Sequence, residues 1–166
     1  QVAIAKMLEA HQMAMTEIDA IVVTLGPGSY TGLRVGLATA KGIAYTLEKP
    51  LIGLSTLSAL AAAAIQLSPT SIEASTQIFS MIDARRMEVF GAIYDASLKP
   101  ILSEQAMVLD QTKWSSLISQ PTICIGNGHL KTKDFTSTHH LIYLDGNYTS
   151  QVLLDLAMAK WTAGQF

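Results

Sequence analysis

The chain reads as an α/β protein with parallel strands, and three observations lead there. Helix-type and strand-type segments alternate through the first 66 residues, the order that builds a parallel sheet covered by helices. The strand at residues 20–25 (Ala-Ile-Val-Val-Thr-Leu) is a β-branched run without polar alternation, which suits a strand buried on both faces. That strand runs into a glycine-rich loop that opens a long helix, a recurrent α/β junction.

Taken in order, Ile4, Met7, Leu8 and His11 recur at helical spacing, so the chain opens inside an amphipathic helix. Gln1 is neither an initiator Met nor a helix cap, and amino-terminal elements are expected to be missing. A polar link at 16–19 precedes the strand 20–25. Residues 26–31 form the tight loop, and a helix spans 32–48, stopped by Pro50. A short strand follows at 51–54, and Ser55 or Thr56 caps a helix over 57–65. The polar, proline-marked stretch 68–76 reads as a hinge between two lobes. Beyond it, 77–83 and 88–95 pair as a hairpin around Ala84-Arg-Arg-Met87, with a third strand at 101–109. Asp110 caps a helix to 119, strands fall at 122–125 and 140–144, and a final helix covers 149–163. This places 1–66 and 150–166 in a first lobe, only partly present, and 67–149 in a second.

The composition narrows the function. Of 166 residues, 49% are hydrophobic and only 14% charged, and mean hydropathy is +0.32, so the chain has material for a core and apolar surface to spare for a partner. A net charge of -2 argues against a stand-alone nucleic-acid binder. The lone Cys124 excludes a disulfide framework and fits a reducing, cytoplasmic compartment. No apolar window is long enough to span a membrane.

The loop-helix at 26–47 is the most informative stretch. Gly26, Gly28, Ser29 and Thr31 stand where helix N–H groups favour an anion. Their spacing matches neither the Walker A loop nor the dinucleotide fingerprint. In the helix, Gly32, Gly36, Ala40 and Ala44 recur every four residues as a smooth ridge, with Arg34, Lys41 and Tyr45 close by. Leu33, Val35, Leu37 and Ile43 are expected to project towards the sheet. Internal glycines cost helix stability, so close packing against another helix has to offset them. That helix belongs either to the amino-terminal segment of the same chain or to another subunit.

The run Gly26-Pro-Gly-Ser-Tyr-Thr-Gly-Leu-Arg34, continuing Val35-Gly-Leu-Ala-Thr-Ala-Lys-Gly42, resembles the signature of the TsaB (YeaZ) family. Leu51-Ile-Gly-Leu-Ser-Thr-Leu57 and Ile82-Asp-Ala-Arg-Arg-Met-Glu-Val89 resemble it in order and spacing. The resemblance covers roughly residues 1–95. It implies the two-lobed actin-like, hsp70-like (ASKHA, ribonuclease H-like) fold, whose first strands would precede Gln1. It also implies a non-catalytic subunit that pairs with TsaD in making threonylcarbamoyladenosine (t6A) on tRNA, in a larger complex with the ATPase TsaE. The resemblance further implies pairing through helices that include the one beginning at the glycine loop, homodimers through the same surface when TsaD is absent, and tRNA met only through the complex. The matching positions are Gly26, Pro27, Gly28, Ser29, Thr31, Gly32, Arg34, Gly36 and Lys41. The resemblance implies no cofactor of the chain's own, with ATP or ADP at the interface with TsaD.

Other chemistry is thin. His139 and His140 diverge as neighbours in a strand, His11 and His129 stand alone, and no His-x-x-x-His pair exists, so no metal site is expected. Cys124 lies in an apolar strand, and the G-x-S-x-G elbow is absent. Asp83, Arg85, Arg86 and Glu88 form the densest charge group, read as local ion pairs at a turn or as a contact for tRNA phosphate or a partner. No catalytic residue is expected. The alternative is an enzyme of the same fold superfamily, a glycoprotease-like hydrolase or a stand-alone ATPase, which would need metal ligands or a complete phosphate cradle.

Overall fold

The computed structural model describes residues 2–68 and 72–166, so part of the expected hinge, at 69–71, lies outside the described residues. The elements are α1 (Val2–Ala10), β1 (Ile21–Gly26), α2 (Tyr30–Leu47), β2 (Leu51–Ser55), α3 (Thr56–Leu67), β3 (Gln77–Asp83), β4 (Glu88–Tyr94), β5 (Pro100–Val108), α4 (Gln111–Leu117), β6 (Thr122–Ile125), β7 (Leu141–Leu144) and α5 (Ser150–Thr162). Short 3-10 turns lie at Met15–Glu17 and Asn127–Thr132. The caps follow the side-chain chemistry. Ser55 Oγ accepts from Leu57 N and Ser58 N, and Asp110 Oδ1 accepts from Lys113 N at 2.7 Å.

Contacts divide the chain into two units, Gln1–Leu54 with Leu153–Phe166, and Ser55–Val152. The sequence sets this boundary at 66/67; in the structure α3 packs on β3, β4 and β6 and so falls in the second unit. Its seven buried residues, four of them alanines, let it lie close to those strands.

In the first unit, β1 and β2 form a two-stranded sheet, tied where Ile21 N donates to Pro50 O at 2.9 Å. Ile52, Leu54 and Ala157 form its core with Ala20, Leu153 and Leu156, so α5 returns to cover β2. Lys160 of α5 donates to Gly53 O at 2.8 Å. β1 is not buried on both faces as its apolar run predicts. Val22 and Leu25 are exposed, because this sheet has only two strands among the described residues.

The second unit holds a five-stranded mixed sheet in the order β5-β4-β3-β6-β7. The hairpin β3–β4 and the pair β4–β5 are antiparallel, and β6 and β7 add in parallel. One face carries the core, where Phe79, Met81, Val89, Ile93, Met107 and Leu109 gather around Trp114 of α4. Trp114 is fully buried, stacked at 6.1 Å on Phe79 and tilted at 6.0 Å against Phe135.

After β6 the backbone makes a turn that only glycine allows. Gly126 has φ +90°, and a Cβ there would lie 2.3 Å from Met81 O. Gly126→Ala is therefore expected to destabilise the fold by about 1–3 kcal/mol or more, from strain and the clash together. Chemical denaturation measures this, and an unchanged midpoint would show that the turn relaxes freely.

Candidate functional site: the outward face of α2

Ser29 caps α2, its Oγ accepting from Gly32 N at 3.4 Å, and Glu48 closes it in a left-handed conformation. The glycine loop before it is thus partly self-satisfied, since the Ser29 hydroxyl occupies an N–H that an anion would use. Gly26 turns at φ +111° with Leu33 packed over it, Gly28 also meets Leu33, and Thr31 is exposed.

The four-residue ridge does not stay on one side of the helix. Gly32 and Gly36 face solvent, whereas Ala40 and Ala44 are buried within their own chain. The reason is geometric: at about 100° per residue, each four-residue step turns about 40°, so the ridge winds about 120° from end to end. Ala40 and Ala44 are therefore not available to another subunit in this arrangement. Val35, expected towards the sheet, is 62% exposed, while Leu33, Leu37 and Ile43 are half-buried.

Seven-residue steps drift only about 20° and do stay aligned. They group Arg34 with Lys41, Val35 with Gly42, and Ala38 with Tyr45, and all six are exposed. Tyr45 is 86% exposed, and a Cβ on Gly42 would meet nothing within 4 Å. Beside them lies an open apolar depression of about 290 Å³ lined by Met15, Ala38, Thr39, Gly42, Ile43, Thr46 and Leu47. The guanidinium of Arg34 sits 4.0 Å above the Tyr30 ring, holding that cation ready at the edge of the face. Four of the sequence-derived positions, Gly32, Arg34, Lys41 and Tyr45, are exposed here, and Gly36 stands open on the flank. The four-residue spacing does not reach Val35, Ala38 and Gly42, although a helical projection finds them.

The remaining candidates sort simply. Burial pushes the Cys124 thiol up to about 12, an inert core position. Among the described residues, no three or more His, Cys, Asp or Glu side chains gather to hold a metal. In the charge group at the β3–β4 turn, Asp83 pairs with Lys131 Nζ at 2.5 Å, from outside the group, and accepts from the backbone N of Arg85 at 2.6 Å. Among the described residues, the expected ion pairs within the group do not form. No helix among the described residues is long and apolar enough to cross a membrane.

The family model described as "TsaD: tRNA N6-adenosine threonylcarbamoyltransferase" matches residues 1–122. The chain belongs to the TsaD family. Within it, two relatives that match three quarters or more of the chain carry the TsaB name. The "tRNA threonylcarbamoyladenosine biosynthesis protein TsaB" of Escherichia coli is 31% identical over 157 residues, which cover 87% of this chain and 61% of that protein. The Bacillus subtilis protein of the same name is 30% identical over 131 residues, or 75% of this chain and 53% of that one. The chain thus spans little more than half the length of these TsaB relatives. YeaZ from Pseudomonas aeruginosa superposes with a TM-score of 0.78 at 23% identity, covering 98% of this chain and 76% of that one. The fold is the actin-like one of this family.

Two outcomes follow from the geometry. Gly36→Leu should leave the protein folded and gain up to about 1 kcal/mol of helix propensity, whereas Ala40→Leu should cost about 1–3 kcal/mol by overpacking. Thermal melts of both variants check the contrast, which fails if Gly36→Leu is the more damaging. The second concerns Asp83, whose carboxyl is held below its usual range first by the Lys131 hydrogen bond and then by the Arg85 N–H. Its stabilisation is present above the unfolded carboxylate value and lost as pH falls through the lowered one. Asp83→Asn should melt earlier than the parent at neutral pH, and the gap should close in acid.

Proposed function

We propose that the chain is a non-catalytic subunit that binds a TsaD-type transferase and activates it in forming t6A on tRNAs that read codons beginning with A. The outward face of α2 carries this reading. A helix showing Val35, Ala38 and Gly42 to solvent exposes apolar and small residues where an ordinary surface helix shows charge. Small side chains permit close helix packing, and the depression beside Gly42 can receive a partner side chain. Arg34 and Lys41 supply a polar edge that fixes orientation. The names of the E. coli and B. subtilis relatives support a place for the chain in the t6A pathway.

In this reading the TsaD-type protein is the principal partner, with a TsaE-type ATPase joining the larger assembly and tRNA met through the complex, in the cytoplasm. A second copy of the chain uses the same face when the transferase is absent. The chain brings no cofactor of its own, and any ATP or ADP sits where it meets the transferase.

The test is the Kd for the TsaD-type partner, measured beside the thermal midpoint. Gly42→Leu should leave the fold intact, since nothing stands within 4 Å of a Cβ there. It should weaken association at least about tenfold, the scale of disrupting the centre of an interface. An unchanged Kd for both Gly42→Leu and Arg34→Glu, with the fold retained, would remove α2 as the docking face.

A further inference from the structure

The far end of the β3–β4 hairpin carries a feature that partner docking through α2 does not use. Two of the chain's three arginines, Arg85 and Arg86, stand side by side at its tip, both exposed. Both adopt left-handed backbone, with φ 71° and 47°, a conformation that L side chains avoid. The tip is braced from behind. Asn127 Oδ1 accepts from Asp83 N at 2.9 Å, and Lys131 Nζ donates to Glu88 O at 2.8 Å while pairing with Asp83. This bracing uses the charges of Asp83 and Lys131. Among the described residues no ion pair engages the Arg86 guanidinium.

Beside the tip lies an uncovered part of the sheet. Ile82, Phe90 and Ala106 are cross-strand partners, as are Glu88 and Val108, so all five share the face opposite the Trp114 core. Further along the same face of β4, Ala92 and Tyr94 are buried. Towards the tip the cover ends, leaving Phe90 39% and Val108 63% exposed.

We propose that this end of the hairpin docks single-stranded RNA, with a base stacked on the Phe90 ring and flanking phosphates taken by Arg85 and Arg86. Unstacked bases on aromatic side chains, with guanidiniums on the backbone, are how proteins hold RNA loops. Phe90 stands on β4, which is paired on both sides, and the two arginines stand on its turn, so these three residues do not lie on the open edge that β5 would offer a peptide. Choosing RNA over an acidic protein surface rests on the t6A reading above, in which the substrate is a tRNA. Since the net charge is -2, binding by the chain alone is weak, and the surface acts within the complex.

The experiment uses a fluorescent tRNA anticodon stem-loop and the complex of this chain with its TsaD-type partner, titrated from low to physiological salt. Co-elution of the two proteins is recorded on the same samples. In the doubly substituted Arg85→Gly, Arg86→Gly protein, glycine relaxes the left-handed backbone, so the thermal midpoint should hold or rise. RNA affinity should fall at least about tenfold at low salt, and the log-log salt slope should shrink by about 1 for each phosphate no longer neutralised. Phe90→Ala should weaken binding about fivefold or more at an unchanged slope. The proposal is overturned if the double variant binds RNA with unchanged affinity and slope, if the parent complex binds no RNA, or if the tip variants lose the protein partner instead. Failure of the parent proteins to co-elute sinks the pairing reading, whereas intact co-elution with unchanged RNA binding sinks this one alone.

Discussion

The approach of one backbone to another, where the turn after β6 meets the end of β3, governs the second unit. Gly126 and Gly128 both lie against Met81, where a Cβ would come within 2.3 Å and 2.8 Å of its atoms. With no side chain to hold them apart, the two segments lock at one spacing. That spacing lets Asn127 reach Asp83 N and sets Lys131 across Asp83 and Glu88. It also lets His129, buried behind the turn, donate from Nδ1 to Gly126 O at 2.7 Å. The hairpin tip is thus held from the turn after β6 as well as by its own bonds, Ala84 N to Glu88 O and Glu88 N to Arg85 O, both at 3.1 Å.

The first unit works differently, because its distinctive surface belongs to a helix that gives only half of itself to its own core. Ala40 and Ala44 pack inward while Val35, Ala38, Gly42 and Tyr45 are left outside. Such a helix has two apolar sides, and its small residues serve both: alanine lets the chain's own strands come near, and glycine leaves room for something else. The composition fits this division, since a chain with 14% charged residues has few polar side chains to spare for an idle surface.

Much of this architecture is legible in the residues themselves. Strands β3, β4, β6 and β7 and helices α4 and α5 lie within a residue or two of the positions their periodicity and caps indicate. Ser55 and Asp110 cap as their chemistry requires. Where sequence and structure differ, the cause is specific. The repeating spacing from Gly32 to Ala44 suggests one straight ridge, yet a repeat of four turns with the helix. The 3-10 helix Asn127–Thr132 has no apolar period to announce it, only two glycines nearby. Arg85 and Arg86 are not the Gly, Asn or Asp that flags left-handed backbone, so the residues at this turn do not announce its conformation. The exposure of Val22 and Leu25 depends on how many strands flank β1, which a single strand's composition does not encode.

The five-stranded sheet ends in two strands with open edges, β5 and β7, and a chain so poor in charge is exposed there to edge-to-edge pairing with its own copies. The two margins are defended in different ways. β7 is only four residues long, too short to template a partner strand. β5 runs for nine residues, but it begins with Pro100, which has no N–H to offer, and carries Ser103, Glu104 and Gln105 in its middle. Glu104 also accepts a hydrogen bond from the Tyr94 hydroxyl at 3.2 Å, so this carboxylate is tethered along the margin it protects. Resistance of the β5 margin to edge-to-edge pairing therefore rests on one short polar tract, and a charge removed at Glu104 weakens that barrier more than the same change on a helix surface.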